Sequence, residues 1–275
     1  MKIFIDSAKL DEIEHAYSSG IIDGVTTNPS LIKKAVEDLK KKGQEIDMRQ
    51  YIESILRTAK GTPVSIEVTE YNYQGMVEQG KSLFRMFNPI ANNVCIKIPV
   101  NTSFEAEHGR EFEGIRAVKT LSAAGIPVNC TLIFTPEQAL LAAKAGASFV
   151  SPFAGRIDDS IRKESGVIFS KSDYFPAEGI RNGKGMLDDN GIVSGIDLVR
   201  QIADIFRKQG IKSEVLAASL RNARQVREAA LAGAHIATLP VDVIKELLSN
   251  RKTQEGMKSF TADIIPEYAD LAKER

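Results

Sequence analysis

The chain has no tryptophan, only two cysteines and three histidines, and no surplus of either charge, with Lys plus Arg and Asp plus Glu each numbering 36. A balanced charge gives no overall field to draw in nucleic acid or an anionic membrane, so neither is expected as a partner. No apolar run is long enough to cross a bilayer. The opening Met1-Lys2-Ile3-Phe4-Ile5-Asp6 is too short and too soon acidic for a signal peptide, and a cytoplasmic protein is expected. Cys95 and Cys130 both fall in β-favouring runs, where they serve as small core residues and not as a disulfide framework or a zinc site. His15, His108 and His235 lie on an early helix, in a loop and at a strand start, which is no metal-ligand pattern. There is no Walker-type glycine loop and no Gly-x-Gly-x-x-Gly after a strand, and nothing suggests a pyridinium partner for pyridoxal phosphate. No metal or cofactor is expected. The chemistry must come from lysine, carboxylates, hydroxyls and amides.

What the chain does have is repetition of one supersecondary unit. Apolar, β-favouring runs occur at 2–6, 24–27, 64–68, 94–100, 128–134, 148–153, 214–220 and 235–239. Amphipathic helical stretches follow most of them, at 8–17, 73–85, 112–122, 136–145, 195–208, 222–231 and 241–249. Strands alternating with helices indicate parallel βα units, and eight of them in 275 residues indicate a (β/α)8 TIM barrel. With 43% hydrophobic residues and no Pro/Gly/Ser-rich linker, the whole chain, 1–275, is expected to form a single domain.

Within the fourth run, Val94-Cys95-Ile96-Lys97-Ile98-Pro99-Val100, a lysine interrupts an otherwise apolar strand. Alternation puts Lys97 on one face with Cys95 and Pro99. Desolvation disfavours an ammonium, and a neutral amine is a nucleophile towards carbonyls that forms Schiff bases. Snorkelling to the strand end or pairing with a carboxylate explains a buried lysine equally well.

The same period of two collects other polar groups on inward-facing positions. Asp6 ends the first run, Ser65 and Glu67 alternate with Val64, Ile66 and Val68, and Asn129 and Thr131 are set apart from the apolar residues of the fifth run. The second run ends in Thr26-Thr27-Asn28-Pro29. Polar residues at the C-terminal ends of barrel strands mark an active site, because the βα loops open there. Arg156 and Arg221 follow the sixth and seventh runs, where barrels often bind phosphate, although on their own they are better explained as surface ion-pairing residues.

Five segments together carry a family resemblance: Gly24-Val25-Thr26-Thr27-Asn28-Pro29-Ser30-Leu31, Ile96-Lys97-Ile98-Pro99, Asn129-Cys130-Thr131-Leu132-Ile133-Phe134, Ser151-Pro152-Phe153-Ala154-Gly155-Arg156-Ile157 and Ala218-Ser219-Leu220-Arg221-Asn222. In this order, and over nearly the whole chain, the sequence resembles the transaldolase family, most of all the short members that include fructose-6-phosphate aldolase. The resemblance implies that Lys97 is the Schiff-base lysine, Asp6 an acid/base residue, and Glu67 with Thr131 the pair that holds a catalytic water. It further implies that Asn28, Asn129 and Ser151, beside Thr27, meet substrate hydroxyls, and that Arg156, Ser219 and Arg221 receive a sugar phosphate. Phe153 matches the transaldolases, whereas fructose-6-phosphate aldolase carries there a tyrosine whose hydroxyl assists release of dihydroxyacetone; phenylalanine cannot donate a hydrogen bond. The implied activity is transfer of a dihydroxyacetone unit between sugar phosphates. The alternatives are simple aldol cleavage and action on a modified, for example sulfonated, sugar.

Two segments exceed the short relatives, at about 101–113 and 159–190, and both follow barrel strands on the expected active-site rim. The second holds Arg162, Lys163, Lys171, Tyr174, Phe175, Arg181 and Lys184 and is expected to form a lid, with an interface or a flexible loop as the alternatives. The stretch 252–275 resembles the family's final helix, which packs between subunits in the short relatives, so a homo-oligomer is expected. Phe260, Ile264, Ile265, Tyr268 and Leu271 could equally cover their own barrel.

Overall fold

The computed structural model describes residues 1–103, 109–166, 168–183 and 185–271. Part of the 101–113 segment, His108 included, together with Lys184 and residues 272–275, lies outside the described residues. In chain order the elements begin β1 (Lys2–Asp6), α1 (Leu10–Tyr17), β2 (Gly24–Thr26), α2 (Pro29–Lys41), α3 (Met48–Thr58), β3 (Val64–Glu67), α4 (Tyr73–Ala91), β4 (Val94–Pro99), α5 (Glu113–Ala123), β5 (Val128–Ile133) and α6 (Pro136–Ala145). They continue with β6 (Phe149–Pro152), α7 (Ala154–Glu164), β7 (Arg181–Asn182), β8 (Gly185–Met186), α8 (Gly195–Gln209), β9 (Glu214–Ala217), α9 (Ala223–Leu231), β10 (Ile236–Leu239), α10 (Val241–Glu246), α11 (Arg251–Ala262) and α12 (Pro266–Asp270).

Eight strands pair in parallel and close on themselves in the order β1-β10-β9-β6-β5-β4-β3-β2, with β7 and β8 forming a separate two-stranded hairpin. The fold is therefore a (β/α)8 TIM barrel with a C-terminal helix, as the alternating runs indicate. All eight expected strands are present. The spacing gave no sign of α2 and α3, which fill the stretch between β2 and β3 with helices capped by Asn28 and Asp47. Helix α7 runs on to Glu164, into the 159–190 segment.

Two cores follow from strand alternation. The outward-facing set, including Ile5, Val25, Ile96, Ile98, Cys130 and Val150, packs against the helices. The inward-facing set, Phe4, Cys95, Phe149, Leu216, Ala218 and Ile236, fills one end of the barrel interior. Phe4 occupies the space that a side chain at position 24 would take, since a Cβ on Gly24 would sit 2.6 Å from the Phe4 ring. Both cysteines are buried and unpaired, as expected for core residues.

Described residues between 168 and 183 pack against α7 and α9. Phe175 is fully buried, Arg162 donates to the Asp173 carbonyl at 2.8 Å and lies over the Phe169 and Phe175 rings, and the Tyr174 hydroxyl donates to Glu228 at 2.8 Å. Helices α11 and α12 bury no residue; Phe260 and Tyr268 are each 72% exposed, so these helices do not cover their own barrel.

Candidate active site

Parallel register brings the polar groups together. Glu67 on β3 is level with Lys97 on β4, and Lys97 is level with Asn129 on β5, so all three point to the same side of neighbouring strands. Lys97 is 4% exposed. Its Nζ lies 3.1 Å from Glu67 Oε2 and donates to the Thr27 carbonyl at 3.0 Å. The amine is therefore both buried and paired, which unites two readings that the sequence left separate. Thr27 contributes that carbonyl and not its hydroxyl, which donates to the Ser65 carbonyl at 2.8 Å.

Asp6, one strand over from Thr26, accepts a 2.6 Å hydrogen bond from the Thr26 hydroxyl, which also lies 2.5 Å from Thr238 Oγ1. Burial pushes the Asp6 carboxyl above the ordinary carboxylate range, and the Lys97 cation and the Thr26 hydroxyl pull it partway back. Across the interior, Ser151 donates to Asn129 Oδ1 at 2.6 Å, and Asn129 Nδ2 donates to Ser65 Oγ at 3.1 Å. One amide N–H of Asn129 is left for a ligand. Asn28 spends its carbonyl oxygen on capping α2 at Leu31 N, 3.0 Å away, and keeps its amide N–H groups. The Thr131 hydroxyl is buried with no hydrogen-bond partner, an arrangement that costs stability unless a water or ligand completes it.

A cavity of about 110 Å³ at the C-terminal end of the strands is lined by Asp6, Asn28, Lys97, Ser151, Arg156 and Ser219, among others, with Phe153 at its side. Glu67 and Thr27 line a second, more apolar cavity of about 340 Å³ with Ile32, Ile52 and Leu83, so the Lys97–Glu67 pair stands between two spaces. Two non-glycine residues adopt left-handed backbone at the border: Leu132, at φ 57° where β5 shifts register against β6, and Ser219, at φ 63°. Such strain persists where the surroundings enforce it and clusters at active sites.

The two arginines differ. The Arg156 guanidinium lies over the Phe153 ring, 4.9 Å from its centroid, and is exposed beside the cavity. Arg221 is paired end-on with Asp159, its two terminal nitrogens 2.5 and 2.6 Å from the two carboxylate oxygens, and it does not line the cavity. Thr238 joins the site without having been expected there, while Thr26 and Ser65, placed among the polar groups by alternation, were not named as site residues. Parity was the available signal, since Thr238 shares a face with Ile236, and Thr26 with Gly24.

Among the described residues no cluster of histidine, cysteine or acidic side chains is placed to hold a metal ion, and no helix is long and apolar enough to cross a membrane. Residues 3–273 match the family described as Transaldolase/Fructose-6-phosphate aldolase. The chain is 40% identical over 263 residues to a probable transaldolase of Bacillus cereus, covering 96% of this chain and 97% of the relative. It is 41% identical to a probable transaldolase of Clostridium perfringens, with the same coverage of each chain. A probable transaldolase of Thermoplasma acidophilum is 38% identical over 96% of this chain and 95% of its own length. A buried lysine and carboxylate inside a closed barrel, and relatives matched almost end to end, lead to one conclusion: the chain belongs to the transaldolase/fructose-6-phosphate aldolase family.

Proposed function

We propose that the protein is a transaldolase that moves a dihydroxyacetone unit from a ketose phosphate, fructose 6-phosphate or sedoheptulose 7-phosphate, to an aldose phosphate through a Schiff base on Lys97. The observation that carries this reading is the buried Lys97 amine held between the Glu67 carboxylate and the Thr27 carbonyl. An ammonium must lose a proton before it attacks a carbonyl carbon, and Glu67 is within proton-transfer reach. Attack on the C2 ketone gives a carbinolamine, whose hydroxyl leaves as water once Glu67 or Asp6 has supplied a proton. The resulting iminium accepts the electron pair released when the C3–C4 bond breaks, as the C4 hydroxyl gives its proton to Asp6. A carboxyl raised by burial suits this exchange, because a catalytic group works best with a pKa near the operating pH.

From fructose 6-phosphate, glyceraldehyde 3-phosphate leaves and the enamine stays on Lys97. An aldose phosphate such as erythrose 4-phosphate then takes up the three-carbon unit, and hydrolysis of the new iminium frees the enzyme. The unpartnered Thr131 hydroxyl supports a role with Glu67 in holding the water that this step consumes. Asn28, Asn129 and Ser151 bind the sugar hydroxyls, and Arg156, Ser219 and Arg221 bind the phosphate. Phe153, with no hydroxyl to offer beside the cavity, supports transfer over release of free dihydroxyacetone.

Borohydride reduction in the presence of fructose 6-phosphate is expected to fix the substrate carbon skeleton on the peptide that contains Lys97; modification of another lysine, or none, would sink the proposal. Formation of glyceraldehyde 3-phosphate should require erythrose 4-phosphate, and formation at the same rate without it would make the protein an aldolase. The exposed apolar face of α11 and α12 supports a homo-oligomer, which sedimentation of the purified protein tests.

A further inference from the structure

Arg221 has five N–H donors on its side chain, and their allocation is unequal. Both hydrogens of Nη1 are spent, one on Asp159 Oδ1 at 2.5 Å and one on the Lys171 carbonyl at 3.1 Å. One hydrogen of Nη2 goes to Asp159 Oδ2 at 2.6 Å. The two left over are Nε–H and the second hydrogen of Nη2, which lie parallel along one edge of the guanidinium plane. That edge is the one that takes two oxygens of a phosphate side by side.

The Nε end of that edge has a defined location. A Cβ on Gly155 would come within 2.9 Å of Arg221 Nε and 2.2 Å of the Ser219 carbonyl, so the guanidinium lies directly over the first turn of α7, next to two residues of the cavity wall, Arg156 and Ser219. The glycine is what permits this approach. The main chain of Arg221 is fixed as well, since its N–H donates to Gln225 Oε1 at 2.9 Å while Gln225 Nε2 donates to Asp158 Oδ2 at 2.9 Å. Consecutive acids of α7 thus hold the two halves of one residue: Asp158, through Gln225, the backbone, and Asp159 the guanidinium.

We propose that Asp159 is a positioning residue for substrate phosphate: by taking the end of the Arg221 guanidinium it presents the Nε/Nη2 edge to a phosphate seated between Arg156, Ser219 and the first turn of α7. This rests on the functional reading above, in which a phosphorylated sugar occupies the cavity. An unrestrained arginine surrenders side-chain freedom when it binds, whereas one already held does not. The carboxylate also opposes the approach of an anion, so the two effects predict opposite signs when Asp159 is neutralised. Positioning dominates here because the ion pair is largely buried, with the two side chains 17% and 24% exposed, and the Lys171 carbonyl shares in fixing the plane.

The test is Asp159→Asn, with affinity for fructose 6-phosphate and for unphosphorylated fructose read by calorimetry without acceptor, and KM and kcat read in the coupled assay. The expected result is a rise of about tenfold in KM and Kd for the phosphorylated sugar, with kcat and the affinity for fructose changed less than twofold. In an Arg221→Met background the same substitution is expected to change phosphate-ester affinity less than twofold, because Asp159 acts only through Arg221. Tighter binding of the phosphate ester by Asp159→Asn would overturn the proposal and make Asp159 a competing counter-ion. An equal loss for both sugars would overturn it as well. Should Asp159→Asn not fold, Asp159→Glu, which keeps the charge but displaces the carboxylate by one methylene, carries the same expectation and the same two refutations. Borohydride trapping on the same samples separates the two levels: trapping at Lys97 with an unchanged KM in the variant refutes the role of Asp159 alone, and the expected KM change without trapping refutes the Lys97 chemistry alone.

Discussion

The two ends of the barrel interior are built from the same strands and differ by two residues along each. Phe4 lies two residues before Asp6, Cys95 before Lys97, Phe149 before Ser151, and Ile236 before Thr238, each pair on one inward face. One layer is apolar and close-packed. The next, a single pleat period further along, is a continuous set of hydroxyls, amides and charges. The difference teaches that on these four strands stability and chemistry are separable by depth, because each contributes one residue to each layer.

Substitutions in the two layers are expected to separate activity from stability, and the first of them has the largest effect. Lys97→Met, which deletes the proposed nucleophile but little packing volume, should remove activity by on the order of 10^4 to 10^6-fold. A large loss of stability would show that the polar layer also holds the barrel together. Asp6→Asn should cost about 10^2 to 10^4-fold in turnover, the range of a general acid/base, with KM little changed. In the apolar layer, Phe4→Ala should cost about 3–5 kcal/mol in urea unfolding with turnover per folded molecule preserved. A matching loss of turnover would show that the depth of the site depends on this ring.

Outside the barrel, the buried Asp158 gives a contrast in pH. Burial pushes its carboxyl up to about 6, against a backbone hydrogen bond from Gly195 that lowers it. A carboxyl whose folded pKa exceeds its unfolded one is bound to its proton more tightly in the native state. Its contribution is therefore most favourable below the unfolded value of 3.8 and declines as pH rises to about 6. Asp158→Asn should flatten stability against pH across that window by on the order of 3 kcal/mol, and an unaltered slope would assign the dependence elsewhere. The smallest effect belongs to Thr131→Val, which removes an unpartnered buried hydroxyl at nearly constant shape. Stability should rise by about 1 kcal/mol while turnover falls, a trade that an inert hydroxyl would not produce.

Much of this was legible in the sequence because a period of two is a strong signal in strands buried on both sides. Lys97, Glu67, Asn129 and Thr131 could be placed on one interior surface from alternation alone. Thr26 and Thr27 show where that signal fails: both are polar neighbours at the end of a short run, and only the register with Asp6 decides which hydroxyl turns inward. Nor does alternation reach beyond the strands. The partnership of Arg221 with Asp159 joins residues 62 positions apart, with helix α8 and strand β9 between them, and helices α2 and α3 sit where no β-run punctuates the chain.

The plug formed by Phe4, Phe149, Leu216 and Ile236 has a kinetic consequence. With the floor closed at that end, the described cavity lies at the C-terminal ends of the strands, and under the proposed transfer the first aldehyde leaves by the side from which the second arrives. On the proposed Schiff-base chemistry such exchange leaves the enzyme waiting in its loaded form between visitors, so double-reciprocal plots at several acceptor concentrations should run parallel, the ping-pong signature of a covalent relay.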